Sequence, residues 1–393
     1  MMTVRERFPR LFAAALLWLA CAGYVFFGGM PAFVVQMAAD WHYTATQQGV
    51  IAMAEVVGNA IGSLLLVYVI HGRTARFTLA CGLLMQLAGN AAMYGDPAFW
   101  LACCERVFAG IGGGIVFGTA IRYVSLNPRA DTLLPLMVVC QYLGMTLLTS
   151  VIVPGLGSIG ASLIYCAATA GVSLFVLFFF MDGCRVVGES PDGELPAVNA
   201  GAAWLVLASI FLVSACAGLA WTFLEAVGLA SGLAPDQVHK AIGASAVPTV
   251  LVCLCMPALL RRGWALSSGT VLLSVCAAGA LLLATPLTPW TFAVGATAFT
   301  GAWMASGVAQ YAMLPGFDPV GRHIALIPAC VGIGSAVGSL VGGGLIDSSS
   351  AFGVAYDISA IFAVLAIVSM LAAHRWGAQR SVIGEAPLRD STN

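Results

Sequence analysis

Long, nearly uncharged apolar runs recur about twelve times along this chain, far more than one soluble core could hold. About 20 residues at about 1.5 Å rise cross a bilayer core. Inside lipid every backbone N–H and C=O must be satisfied within the chain, so such runs become helices. Of the 393 residues 60% are hydrophobic and 8% charged, against about 25% charged in soluble domains. The chain is therefore read as an all-α integral membrane protein. The runs fall at roughly 11–36, 47–70, 77–94, 98–121, 133–153, 158–181, 202–228, 238–260, 265–284, 289–313, 323–345 and 352–373. The first is long enough to tilt, and Gly28-Gly29 with Pro31 predicts a bend in it. The start MMTVRERFPR, followed by LFAAALLWLACAGYVFF, imitates a signal peptide. Its apolar run continues past the length of a cleaved signal, so a retained first transmembrane helix is expected.

The widest gap, Asp182 to Gly201, divides six spans from six. The expected organisation is a six-helix half over 1–181, a cytoplasmic linker over 182–201, a second six-helix half over 202–373 and a cytoplasmic tail over 374–393. Halves of equal helix count are the pattern of transporters built from repeats. With the N-terminus inside, fourteen of the 16 Lys and Arg residues fall on cytoplasmic segments. The other two are Arg106, within a span, and Lys240, at the outer start of the eighth. By the positive-inside rule both termini are expected in the cytoplasm, in a multi-pass protein of the cytoplasmic (inner) membrane. Most of the 12 cysteines sit inside apolar runs, such as Cys81, Cys103, Cys104, Cys253 and Cys255. With no repeated CxxC and no Cys/His cluster they read as packing residues, and neither metal nor cofactor is expected.

The fourth run, WLACCERVFAGIGGGIVFGTAI, carries Glu105 and Arg106 at membrane depth and then Gly110, Gly112, Gly113, Gly114 and Gly118. Charges there cost about 2.5–3.5 kcal/mol each, so they face a partner or a watery cavity. The glycines let another helix approach closely. Glu55 lies in the second run, with Asn59 one turn on and on the same face. Both runs go from outside to inside, and Glu55 and Arg106 each lie roughly 12 Å down from the outer end.

Arg106-Val107-Phe108-Ala109-Gly110 followed by Gly112 resembles the R-x-x-x-G-x-G pattern of the fourth helix in the major facilitator superfamily. The resemblance extends over the whole chain: two six-helix halves, a cytoplasmic linker and inside termini. It implies the fold of that superfamily and a role for the arginine in proton coupling or charge balance. Its second and fourth helices are near neighbours, which implies a Glu55–Arg106 pair. Two roles stay open for that pair: coupling, broken during the cycle, or permanent neutralisation. The eleventh run, with Gly334 and Gly338-Ser339-Leu340-Val341-Gly342-Gly343, is similar to the exporter element G-P-x-x-G-G, with serine for proline and in the other half. In the loop between spans two and three, Gly72-Arg73 and Arg76 match the superfamily's gating loop, while its usual aspartate position falls on Val69. Asp318-Pro319 and Gly321-Arg322 give a similar acid–arginine pairing between spans ten and eleven, or an ordinary capped turn.

Glu105 points about 100° away from Arg106, and Arg106 is the one expected to face the cavity. Glu225 reads either as an interfacial acid or as a cavity-rim acid opposite the first half. Substrate contacts are expected from Tyr24, Phe27, Asn59, Gln141, Tyr142, Trp221, Trp303, Gln310 and Tyr311. Gln86 and Asn90 read as interhelical glue. No phosphate loop appears, the five histidines are scattered, and nothing suggests a selectivity filter. No catalytic residues, no enzyme activity and no nucleic acid are therefore expected. The expected function is secondary transport of a small organic solute by alternating access in a monomer, with protons and lipid as partners and efflux favoured. An uncharged or singly anionic cargo, with Arg106 as the anion's partner, fits the low charge of the helices. Uptake by the same fold, or a non-transporting sensor, are the alternatives.

Overall fold

The computed structural model describes residues 9–68, 74–95, 97–125, 130–180, 199–318, 323, 326–349 and 352–384. Among them the chain forms helices and no strands. Eleven segments are long and apolar enough to cross a membrane. The first segment supplies a further crossing in three pieces: α1 (Pro9–Ala22), α2 (Val25–Gly28) and α3 (Met30–Asp40). It breaks twice, at Gly23-Tyr24 and at Gly29, where a single bend was expected. Pro31 sits near the start of α3, where its missing N–H costs nothing.

The chain continues through α4 (Ala45–Tyr68), α5 (Ala75–Ala92), α6 (Phe99–Ser125), α7 (Ala130–Leu147), a π turn, α8 (Val153–Leu156) and α9 (Ile159–Phe180). Then come α10 (Ala200–Thr222), α11 (Leu224–Ala230), α12 (Pro235–Ala244), α13 (Ala246–Arg261), α14 (Ala265–Ala284), α15 (Pro289–Met313), α16 (Ile327–Ser349) and α17 (Phe352–Gly384). The seventh and eighth runs are thus each interrupted, at Phe223 and Ser245. Side chains meet the orphan N–H groups at helix starts: Thr74 on α5, Asn199 on α10 and Thr288 on α15. Large apolar side chains cover the outside, and exposed indoles mark helix ends, with Trp100 opening α6 and Trp290 opening α15. Indoles prefer the membrane–water interface, which fits their place at helix ends. The described cysteines are free.

Glycine decides which helices touch backbone to backbone. A Cβ at Gly58 or Gly62 of α4 would overlap the carbonyl of Val107 or Ile111 on α6. Reciprocally, a Cβ at Gly110 or Gly114 of α6 would overlap the carbonyl of Glu55 or Asn59. The later helices repeat the device, with Gly218 of α10 against Ser335 and Gly338 of α16 against Ala215. A second face of α16 meets α4, where Gly343 lies against Ala45, and Gly49 against Ser339. The glycine-rich run of α16, similar in sequence to an exporter element, is therefore a two-faced packing surface. It ties the early helices to the late ones.

Candidate functional site

Close approach of α4 and α6 places a buried ion pair between them. Arg106 Nε lies 3.3 Å from Glu55 Oε2, and neither side chain is more than 2% exposed. Both terminal guanidinium nitrogens donate to Asn90 Oδ1 at 3.1 Å. The ring of Phe26 lies 3.9 Å from the guanidinium carbon, a cation–π contact that lipid-like surroundings strengthen. Asn59 donates to the backbone oxygen of Glu55 at 3.1 Å and to its Oε1 at 3.4 Å. Asn90 in turn donates to Gln86 O at 2.7 Å, and Gln86 reaches the Ala22 and Gly23 carbonyls at the break in the first segment. Four segments thus hold one pair of charges.

A cavity of about 150 Å³ lies beside this cluster, between early and late helices. Tyr24, Phe27, Phe117 and Gln141 line it on one side, and Trp303, Gln310, Tyr311, Ser214 and Ser335 on the other. Six of the nine residues expected at a substrate are there: Tyr24, Phe27, Gln141, Trp303, Gln310 and Tyr311. Glu55 and Arg106 are not in its wall, which corrects the expectation that Arg106 faces the cavity. Two neighbours in sequence connect the sites. Val56 and Phe27 line the cavity, while Glu55 and Phe26 contact Arg106.

The other three expected contacts serve elsewhere. Asn59 is held by Glu55. Tyr142 is fully buried, and its hydroxyl lies 2.8 Å from both Ser245 Oγ and Thr300 Oγ1. Trp221 donates its indole N–H to Phe27 O at 3.2 Å and packs on Trp303. Both residues bridge early and late helices. Glu225 does not line the cavity. It pairs with His239 at 3.0 Å, from α11 to α12. Glu105 is half-exposed, on another face of α6 from Arg106, with no ion pair among the described residues. Arg76 donates to Phe178 O and lies over that ring at 4.4 Å, which ties α5 to α9. Asp318 is buried, with His323 Nδ1 at 3.3 Å. Gly72, Arg73, Gly321 and Arg322 lie outside the described residues.

Sequence reasoning missed Asp347. Its carboxylate accepts from the backbone N–H groups of Ala45 at 3.0 Å and Thr46 at 2.7 Å. Thr44 and Gln47 complete the cap, with Gln47 N donating to Thr44 Oγ1 at 3.3 Å and Thr44 N to Gln47 Oε1 at 3.0 Å. The late helix α16 therefore caps the early helix α4, and the carboxylate sits at the positive end of the helix dipole. Together with Gly343 against Ala45 and Trp221 on Phe27, this shuts one end of the cavity. The cavity runs the other way, towards Ile121, Met137, Ile327 and Pro328. The only signal in the sequence was an acid closing a glycine-rich run. Asp347→Asn is expected to weaken the clasp by about 1 kcal/mol, roughly fivefold in the balance between conformers, because the carboxylate is exposed and screened. Spin labels on the facing ends of α4 and α16 read that as a broader distance distribution. An unchanged distribution would remove the clasp's role.

This geometry has relatives. A nucleoside transporter, NupG, in the crystal structure of a mutant form, superposes with a TM-score of 0.72 over 93% of this chain and 99% of its own, at 13% identity. That likeness is one of fold. A search of curated proteins gave no match. The family model described as "Uncharacterised MFS-type transporter YbfB" matches residues 30–371. That span takes in the ion pair, the clasp and the cavity lining apart from Tyr24 and Phe27, and the chain belongs to this family of MFS-type transporters.

Proposed function

We propose that the protein is a proton-coupled secondary transporter that moves a small organic solute across the cytoplasmic membrane by alternating access, in the direction of efflux. The observation that carries this reading is a cavity between early and late helices, shut at one end by direct contacts and extended towards the other. A rocking motion about such a site exposes it to each side in turn. The distribution of arginines supports a cytoplasmic location for the ends of α6 and α15 and the starts of α7 and α16. The cavity extends to those ends, so this conformer is the one in which an exporter takes on cargo.

Coupling is assigned to Glu55 and Arg106. A proton on Glu55 removes the attraction that holds Arg106, and α4 and α6 then lose an electrostatic tie at the level of the cavity. Phe26-Phe27 and Glu55-Val56 carry the change to the wall by direct chain connection. The pair's position off the cavity keeps proton and cargo at separate sites. The test uses proteoliposomes with the purified protein, loaded with a small-metabolite extract and given an imposed pH gradient. Mass spectrometry is expected to show one or a few solutes moving with the gradient, relative to empty vesicles. No gradient-dependent movement of any solute would count against the reading.

A further inference from the structure

We infer that the cavity binds an uncharged, flat molecule that presents N–H or O–H donors. This deepens the transporter reading and rests on it. Three observations converge on that class.

The first is charge. Among the described residues no Asp, Glu, Lys, Arg or His lines the cavity. Arg106, the expected anion partner, has Nε on Glu55 and both other nitrogens on Asn90, with Phe26 over its face. It does not line the cavity. A charged ligand would give up water without gaining a counter-charge, which disfavours binding steeply. An anionic cargo therefore does not fit.

The second is the direction of the two amides, one from each side. Gln141 Nε2 donates to Ala20 O at 3.3 Å, and a carbonyl can only accept. Gln310 Nε2 donates to Ser209 Oγ at 2.7 Å. The Ser209 proton is itself committed to Ala366 O at 2.7 Å, so Ser209 must accept from Gln310. Reversing either amide would set its carbonyl oxygen against another acceptor, Ala20 O or Ser209 Oγ. Both carbonyl oxygens are therefore left to face elsewhere. Gln310 is fully buried, and its Oε1 has no partner. A buried acceptor in a cavity wall, with its amide fixed by its other end, calls for a donor from a ligand.

The third is shape. Tyr24 and Phe117 meet edge to face at 4.5 Å between ring centroids. Trp303 closes the opposite wall, stacked on Phe299 at 6.1 Å. Flat rings fixed by other rings favour a flat guest. Such a guest, held between Gln141 and Gln310, links early helices to late ones.

The test is a binding screen on the purified full-length protein, read by affinity selection and mass spectrometry. Its four matched sets of planar compounds are uncharged with donors, uncharged without donors, anions and cations. Binders are expected to concentrate in the first set. Gln310→Met, which keeps length and removes the acceptor, is expected to weaken them about tenfold and leave the donor-free set unchanged. If that variant does not fold, Gln141→Met on the other wall carries the same comparison. Binders spread evenly, concentrated among ions or absent from every set would overturn the class, as would donor-bearing binders indifferent to both variants. A charged solute moving in the vesicle assay would overturn the class and leave the transporter standing. Uncharged donors that bind without any flux would do the reverse.

Discussion

Arg106→Leu is expected to destabilise the detergent-solubilised protein by about 3–5 kcal/mol. Removing one member of a buried pair leaves the other charge with no counter-ion and no water. Here Glu55 would keep only Asn59, and Asn90 Oδ1 would lose both of its donors. Neutralising both partners at once, as Glu55→Met with Arg106→Met, is expected to recover a large part of that loss. Apolar groups of similar volume commonly replace a buried pair with little penalty. Denaturation midpoints of the two singles and the double give the coupling directly. A single Arg106→Leu as stable as wild type would show that the pair holds nothing together. The same double variant is expected to lose gradient-driven transport while remaining folded, which separates the structural role of the pair from the coupling role proposed for it.

Gly110→Leu is expected to be nearly as damaging, at about 1–3 kcal/mol or more, for a steric reason. The new Cβ would overlap the Glu55 backbone carbonyl, and backbone cannot rotate away as a side chain would. Helices α4 and α6 must then separate, which also pulls Glu55 from Arg106. Gly144 is the control. A Cβ there meets nothing, so Gly144→Ala is expected to leave stability unchanged or slightly raised. Melting temperatures of the two variants in one detergent make the comparison. Equal behaviour would contradict the packing account.

The span pattern was legible because membrane helices announce themselves by length and composition. Glu55 and Arg106 were legible as a pair because a charge at membrane depth is rare and about 1.5 Å per residue fixes its level. What lies around a helix at one level was much less legible. These helices are apolar on every side, so no polar stripe marks the face towards protein rather than lipid. That is why Tyr142 and Trp221, expected in the cavity, instead bridge the helices that enclose it. Asn90 and Gln86 do join helices, as glue would, but the sequence did not reveal that the partner of Asn90 is Arg106. Asp347 was beyond reach for another reason. Its partners are two backbone N–H groups some 300 residues earlier, and backbone donors leave no signature in a sequence. The breaks at Gly23, Phe223 and Ser245 were hidden because apolar runs continue through them.

The measurement that bears most directly on the proposal compares wild type with Glu55→Gln, a substitution of nearly equal shape that cannot release a proton. Proteoliposomes would be assayed with the solute found in the metabolite screen, once for exchange at equal pH on both sides and once for accumulation driven by a pH gradient. The account predicts that Glu55→Gln keeps exchange, because the cavity and the clasp are intact, and loses gradient-driven accumulation. Accumulation undiminished in Glu55→Gln would contradict it and leave the pair as a neutral strut between α4 and α6.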